Sequence, residues 1–115
     1  MPESCIFCEI ANGKIPAGIV FQDEETAAFK DINAQAPVHV LVVPRRHISS
    51  VNELKAGDAE TVGKLFLAAK QIATDLGIAG SGYRLVMNCG RDAGQTVDHI
   101  HLHLLGGRAL KWPPG

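Results

Sequence analysis

Hydrophobic and polar positions alternate near the end of the chain. His99, His101 and His103 are separated from one another by single apolar residues. On a β-strand alternate side chains share a face, so the run predicts a strand over 97–105 with three imidazoles on one side. The apolar residues between them point the other way and are predicted to join the core. A helix would scatter the imidazoles, so only the strand brings them together.

The rest of the chain predicts four further strands and one long helix. Apolar and β-branched residues predict strands at 19–21, 26–29, 38–43 and 83–87, with hairpin turns between some of them. A short helical turn runs from the first residues to Gly13, and a helix over 58–76 ends at Gly77. The apolar stripe of that helix consists of Val62, Leu65, Phe66, Ala69, Ile72, Ala73 and Leu76.

This order of elements predicts an α+β fold in a single domain covering residues 1–115. Strands joined as hairpins favour an antiparallel sheet, here of about five strands, and the long helix covers one face of it. A chain of 115 residues, 46% hydrophobic and 20% charged, fits one globular domain with a modest core.

Charge and hydropathy exclude several classes of partner. The net charge is −1, and no block of like charge occurs. We therefore expect neither a general nucleic-acid binder nor a membrane-surface binder, although a single nucleotide needs only a local site. No apolar stretch approaches the length of a membrane span, and the N-terminus does not look like a signal peptide, so the cytoplasm is the expected location.

The three histidines allow three interpretations. They could be incidental polar residues on a solvent face, although three identical imidazoles fit chance poorly. All three could bind one metal, but they would span about 13 Å along a strand, too far for zinc bonds of about 2.0–2.1 Å without distortion. The better interpretation is that the three histidines have different functions.

A loop before the histidine run is a candidate phosphate cradle. Asn88, Gly94, Gln95 and Thr96 lie between two strands that are predicted to pair. Free backbone N–H groups in such a loop bind anions, and a glycine permits close approach to the main chain. An ordinary hairpin loop is the alternative.

Two polar residues on other strands have paired interpretations. His39 lies in the predicted strand 38–43 and is either a satisfied core histidine or the partner that fixes the tautomer of a catalytic imidazole. Asp31, followed by Ile32 at a strand end, is either a turn carboxylate or an acceptor for ribose hydroxyls.

Cysteine spacing adds a candidate metal site. Cys5 and Cys8 form a C-x2-C pair, and with His47 and His99 they would make a complete tetrahedral zinc set. Two buried thiols are one alternative. A redox pair is the other and is disfavoured because no strand precedes the motif. Cys89 has no partner at a recognisable spacing and is predicted to be a small buried residue.

Taken together, these residues resemble the histidine triad (HIT) family, whose signature is His-x-His-x-His with apolar spacers. The resemblance covers almost the whole chain and its motifs are specific. Beside the triad it includes Asp31-Ile32, Ala36-Pro37-Val38-His39, Pro44-Arg45-Arg46-His47-Ile48, Gly94-Gln95-Thr96-Val97, Leu105-Gly106-Gly107-Arg108 and the C-terminal Trp112-Pro113-Pro114-Gly115. The C-terminal motif is similar to that of the purine nucleoside phosphoramidase branch.

The resemblance implies a hydrolase for nucleoside 5′-phosphoramidates, typically AMP linked to an amine. His101 would attack phosphorus and form a nucleotidyl-imidazole that water then cleaves. His103 would hold phosphate oxygen or protonate the leaving amine, and His39 would orient His101. Thr96 would stabilise phosphate oxygens and the leaving group as charge shifts.

The resemblance also implies a substrate pocket and a homodimer whose sheets join into one. Asp31 would accept the ribose hydroxyls, and the loop 94–97 with Asn88 would contact phosphate or ribose, so that Gly94, Gln95 and Val97 count as substrate-binding residues. Trp112 would reach the partner's site. The purine would lie between Ile6, Phe7, Ile10, Ile15, Phe29 and Ile32.

Relatives with the same cysteine pair suggest a structural zinc on Cys5, Cys8, His47 and His99, and no cofactor for catalysis. Thr96 stands where serine is common, while Asp98 and Lys30 replace an aromatic residue and a histidine. The alternatives are dinucleoside polyphosphate hydrolysis, nucleotidyl transfer and a nucleotide-binding scaffold with slow turnover. Nucleotidyl transferases of this superfamily have glutamine at the last triad position, where this chain has His103.

Overall fold

A computed structural model describes residues 5–115, and its sheet has five antiparallel strands in the order β1-β2-β3-β5-β4. The predicted α+β class, the long helix and the short N-terminal helix are confirmed. Residues 1–4, where the predicted N-terminal turn begins, lie outside the described residues. The elements are α1 (Ile6–Ala11), β1 (Ile19–Gln22), β2 (Thr26–Lys30), β3 (Val38–Pro44), α2 (Ala59–Asp75), β4 (Tyr83–Val86) and β5 (Leu102–Gly106).

The sheet separates two apolar clusters, one on each face. β3 supplies both: Val40 and Val42 pack on the side of α2, whereas Leu41 and Val43 pack on the side of α1. A central strand that is buried on both faces needs apolar residues at consecutive positions, which explains the unbroken apolar run in this part of the sequence.

The helix α2 buries a narrower stripe than the sequence predicts. Leu65, Ala69, Ile72 and Ala73 are buried as expected. Two predicted members of the stripe are exposed, with 45% of Phe66 and 41% of Leu76 accessible. Phe66 lies at the edge of the stripe and Leu76 lies past the last turn. In residues 5–115 no helix is both long enough and apolar enough to cross a membrane.

The predicted strand over 97–105 is wrong in its first half. β5 begins at Leu102, and residues 97–101 are irregular. The β3–β5 register would place Ile100 opposite Pro44, which has no N–H for the ladder. Instead the Ile100 N–H donates to the Ile48 carbonyl at 2.8 Å.

Side chains still alternate between the two faces of the sheet from His99 to Leu104, although the first residues of this segment are not a strand. Ile100, Leu102 and Leu104 are at most 1% exposed and lie in the cluster under α2. The rings of His99 and His101 lie on the opposite side, where Phe7 of α1 contacts both of them. The predicted division into an imidazole side and an apolar side therefore holds even where the backbone is not a strand.

Two neighbouring residues of α2 test the burial pattern. We expect Leu65→Ala to lower the free energy of unfolding by about 2–5 kcal/mol, because it empties a fully buried position. Phe66→Ala serves as the matched control and should change it by about 0.5 kcal/mol or less, since the ring is partly in water. Urea unfolding measures both. Equal losses for the two variants would contradict the burial of Leu65 and the exposure of Phe66.

Candidate active site and metal centre

The imidazole of His101 is oriented by the main chain. Its Nδ1 lies 2.8 Å from the carbonyl oxygen of His99, and a carbonyl can only accept, so Nδ1 carries the proton. The neutral ring therefore presents an unprotonated Nε2. No hydrogen bond within the described chain engages that nitrogen, and the side chain is otherwise buried. An unprotonated, unengaged nitrogen on a fixed ring is what a nucleophile requires.

A second chain of hydrogen bonds fixes the protons of His39 and His103. The N–H of Gln35 donates to Nδ1 of His39 at 3.0 Å. In neutral His39 the proton is then on Nε2, which donates to Nδ1 of His103 at 2.9 Å. His103 consequently carries its own proton on Nε2.

Nε2 of His103 lacks a partner. Within residues 5–115 it is the one buried side-chain nitrogen or oxygen atom without a hydrogen bond. Buried polar groups in native proteins are nearly always satisfied, so this N–H donor is suited to bind an acceptor group. A phosphate oxygen is an acceptor of the right kind. The rings of His101 and His103 are 5.0 Å apart, so one phosphate group can contact both.

Asp31 lies beside the same nitrogen of His39 that donates to His103. One carboxylate oxygen lies 3.3 Å from Nε2 of His39, and the other accepts from the N–H of Asn33 at 2.8 Å. Each oxygen keeps a further lone pair, so the carboxylate can still accept a hydroxyl. Nε2 of His39 thus faces both the Asp31 carboxylate and Nδ1 of His103, and its one proton is shared between these two acceptors.

Burial keeps these histidines neutral. Desolvation by burial, together with the neighbouring His101 and His39, lowers the pKa of His103 to about 4. The pKa of His39 is also lowered by burial, against an opposing pull from Asp31. Both rings are therefore neutral near pH 7 in the free protein, and an arriving anion would favour protonation.

The predicted contact between His39 and His101 is not present. β3 and β5 pair in a register that places His39 opposite Leu105, so its diagonal neighbour on the same face is His103. His101 lies two residues further away. The carbonyl of His99, rather than His39, orients His101.

The loop before the triad uses part of the predicted phosphate cradle for its own structure. The N–H groups of Gly94 and Gln95 donate to the carbonyls of Arg91 and Gly90. The Gln95 amide nitrogen donates to the carbonyl of Ser49 at 2.7 Å. Gly94 has φ +86°, so the turn itself requires glycine there.

Other loop residues remain available. Thr96 is exposed, and Asn88 and Val97 are half-buried. In the part of the chain that the structure describes, neither the Asn88 amide nor the Thr96 hydroxyl has a hydrogen-bond partner. These two side chains, more than Gly94 and Gln95, are free to contact a ligand.

The residues predicted to enclose a purine divide into two groups. Phe7, Ile10 and Phe29 are buried in the cluster under α1, and Ile15 packs against them, so they form a floor. By contrast, 49% of Ile6 and 105% of Ile32 are exposed. Trp112 is also exposed, in a tail that Arg84 holds through the carbonyls of Leu110 and Lys111.

Cys5, Cys8, His47 and His99 come together as predicted, and they could hold a metal ion. One ligand atom from each lies within 4.8 Å of the others. The sulfur-to-nitrogen distances are 3.2 Å for Cys8 to His47 and 3.4 Å for both cysteines to His99. Tetrahedral zinc with standard bond lengths needs about 3.6 Å, so the ligands require only a small adjustment.

The positions of the ring protons distinguish this cluster from a second group of possible metal ligands. Nε2 of His99 donates to the Pro44 carbonyl at 2.7 Å, which leaves the lone pair of Nδ1 directed at the thiols. Asp31, His39 and His103 also offer ligand atoms within 4.8 Å. There the Gln35 N–H places the proton of His39 on the nitrogen that would face the metal. Only the cysteine cluster is therefore prepared for a cation.

Ionisation in the cysteine cluster fits metal binding as well. Burial lowers the pKa of His99 to about 4, so its ring is neutral and available as a ligand. Burial and the neighbouring Cys5 raise the pKa of Cys8 to about 11, so without a cation the thiol keeps its proton. A bound cation would favour the thiolate strongly.

Several functional contacts were not predicted from the sequence. The Gln35 N–H, the Asn33 N–H and the His99 carbonyl are main-chain groups, and side-chain patterns carry no signal for them. The ring of Phe7, which is predicted to contact the purine, also packs on His101 with centroids 5.1 Å apart. Its position between two cysteines was the available signal.

Comparison with known proteins agrees with this site. A family model for the HIT domain matches residues 12–110. A purine nucleoside phosphoramidase of Escherichia coli K12 is 47% identical over 110 residues, which are 96% of this chain and 92% of the relative. An uncharacterised HIT-like protein of Synechocystis is 50% identical, over 100% of both chains.

Solved structures show the same similarity. A HIT family hydrolase from Legionella pneumophila Philadelphia 1 superposes with a TM-score of 0.96 at 48% identity, covering 97% of this chain and 100% of that one. A histidine triad protein from Clostridium difficile gives 0.91 at 41% identity, with 93% of each chain covered. The chain therefore belongs to the HIT family, as a hydrolase homologous to purine nucleoside phosphoramidase.

Proposed function

We propose that this protein hydrolyses nucleoside 5′-phosphoramidates to a nucleoside monophosphate and an amine. The observation that carries the proposal is the pair of tautomers at the site. His101 presents a lone pair, and His103 presents an N–H donor, with the two rings 5.0 Å apart. A nucleophile beside a proton donor is the arrangement that displacement of an amine from phosphorus requires.

In the first step Nε2 of His101 forms a bond to phosphorus as the phosphorus–amine bond breaks. The leaving nitrogen takes a proton from Nε2 of His103, which the negative charge of the bound substrate has first caused to protonate. Substitution at Nε2 makes the His101 ring cationic. The carbonyl of His99 accepts from its Nδ1–H and stabilises that charge.

In the second step water attacks phosphorus and the bond to His101 breaks. The water proton passes to His103, which restores the protonated form used in the first step. The added proton lies on Nδ1 of His103, so the Nε2–H of His39 then donates to Asp31 instead, and the charge of Asp31 stabilises the protonated ring. His39 and Asp31 are both positioning residues in this scheme. Thr96 and Asn88 would contact phosphate oxygens or the ribose.

A purine nucleotide is the proposed substrate class. The curated relative from E. coli is a purine nucleoside phosphoramidase. Here the buried rings of Phe7 and Phe29 provide an apolar floor, and the exposed Ile6 and Ile32 are available to cover a base. Asp31 would accept the ribose hydroxyls with the lone pairs that His39 and Asn33 leave free.

A homodimer is the proposed assembly. β4 is an edge strand whose four residues are all half-buried, so a second copy could continue the sheet there. The C-terminal tail is bonded to the same strand through Arg84. Trp112, 81% exposed, would then reach towards the partner's site and contact the leaving group.

Zinc is the proposed metal for the cysteine cluster. Two thiols and two neutral imidazoles in tetrahedral reach are typical of structural zinc, which takes four protein ligands and leaves no open position. The ion would tie α1 to the segments that carry His47 and His99. It would supply stability and would not itself contact the reacting atoms.

The nucleophile can be tested directly. We expect His101→Ala to lower kcat for an adenosine 5′-phosphoramidate with a fluorescent amine by at least about 10³-fold, because no other group can form the covalent intermediate. The affinity for AMP should change little. Fluorescence release and calorimetry measure the two quantities.

Wild-type protein on the same substrate is the reference. Turnover by His101→Ala near the wild-type rate would refute the assignment. If wild type binds AMP without turnover, a dinucleoside polyphosphate should be supplied next. Failure there too would favour a nucleotide-binding scaffold.

Loss of the cysteine pair should destabilise the fold. The double variant Cys5→Ser, Cys8→Ser should lack metal and melt at a lower temperature, because two of the four ligands are gone. Cys89→Ser is the matched control and should keep both metal and Tm. Elemental analysis measures the bound metal and calorimetry measures the Tm. A wild-type protein that is purified without chelator and contains no metal would count against zinc.

The C-terminal tail can be tested by truncation. Deletion of residues 112–115 should change the relative rates across a series of amine leaving groups while the affinity for AMP is kept, since Trp112 is proposed to touch only the leaving group. Rates for bulky and small amines would be compared. Unchanged ratios would remove the tail from the site.

A further inference from the structure

His99 belongs to two sites at once. Its side chain presents Nδ1 to Cys5 and Cys8, each 3.4 Å away, and its main-chain carbonyl accepts the Nδ1–H of His101 at 2.8 Å. The residue is fully buried and further held by a hydrogen bond to the Pro44 carbonyl. A bond that orients the His99 side chain therefore also acts on the main-chain carbonyl of the same residue. That carbonyl orients the His101 imidazole.

Phe7 makes a second connection between the same two sites. It lies between the two cysteines in the sequence, and its ring meets the rings of His101 and His99 edge-on at 5.1 Å and 6.0 Å. Edge-to-face contacts of this kind fix the plane of a ring as well as its position. Because Phe7 lies between Cys5 and Cys8 in the sequence, the placement of the two cysteines also places the aromatic ring that packs on His101.

The helix α1, which contains Phe7 and Cys8 and has Cys5 at its N-cap, is too short to be stable on its own. α1 has six residues, far below the length at which an isolated helix is stable. Its cysteines approach His47 and His99, which lie 39 to 94 positions away along the chain. A metal bound by all four would replace weak thiol–imidazole contacts with coordinate bonds.

We propose that the Cys5–Cys8–His47–His99 centre, when it holds a divalent metal, positions the nucleophile. The metal fixes the His99 carbonyl and the Phe7 ring together, and these two groups fix the His101 imidazole. Metal loss should therefore reduce kcat. The affinity for AMP should fall as well, because α1 also carries Ile6 and Phe7 of the proposed base pocket. The kinetic part of this inference rests on the proposed function, whereas the orientation of His101 does not.

His47 is the ligand at which to test the coupling. Its ring contacts Cys8 and His99, and in residues 5–115 no hydrogen bond or ring contact joins it to His101. His47→Ala removes one ligand and leaves Phe7 and His99 in the chain. His47→Cys is the conservative rescue, because zinc accepts three thiolates and one imidazole as readily as two of each.

Four quantities should be measured well below the melting temperature: bound zinc, the NMR signal of the His101 Nδ1–H in ¹⁵N-histidine protein, the Kd for AMP, and kcat. For His47→Ala we expect no zinc, a broadened or lost Nδ1–H signal, a weaker Kd for AMP and a kcat at saturating substrate at least about tenfold lower. His47→Cys should restore zinc, signal and kcat together.

Should His47→Ala fail to fold, zinc can be removed from wild type with a chelator and then returned. Signal and kcat should fall and recover with the metal. A folded, metal-free protein that keeps the His101 signal would overturn the proposal. If wild type does not hydrolyse phosphoramidates, the proposed function fails, while the NMR signal against zinc content still decides the coupling.

Discussion

The hydrogen bond from Nδ1 of His101 to the carbonyl of His99 is the constraint on which the site depends. Either nitrogen of a neutral imidazole can be the base. This bond places the proton on Nδ1 of His101 and leaves Nε2 as the base. The carbonyl is main chain, so no substitution of a side chain at 99 deletes the acceptor. What can change is its position, which depends on the contacts that hold the His99 ring in place.

Proton placement explains why two similar clusters of histidines have different capacities. At His99 the second ring nitrogen donates outward to a carbonyl, so the inner nitrogen is a ligand. At His39 the second nitrogen accepts from a backbone N–H, so the inner nitrogen is a donor. Proximity alone would have assigned a metal to both. The donor or acceptor character of one main-chain atom behind each ring separates coordination from proton transfer.

Sequence patterns predicted the fold class, the strands and the cysteine cluster, because periodicity and residue type carry that information directly. They did not predict that the strand of the triad begins only at Leu102, because the break arises from Pro44 on the partner strand, which is distant in sequence. The contact of His39 with His103 depends on strand register, which turn lengths and the core determine jointly. Phe66 illustrates a further limit: helical periodicity predicts an apolar stripe but not how wide a surface the sheet offers.

Alternation around the triad has an evolutionary consequence. Each imidazole is followed by a residue buried under α2, so functional and core positions interleave one by one. A point substitution in this segment therefore changes either the imidazole face or the core face, but not both. Insertion or deletion of a single residue between His99 and Leu104 would exchange the faces, turning imidazoles into the core and apolar side chains into the site. The length of this segment should thus be far less variable during divergence than its composition, and new specificities should arise in the flanking loop and the tail.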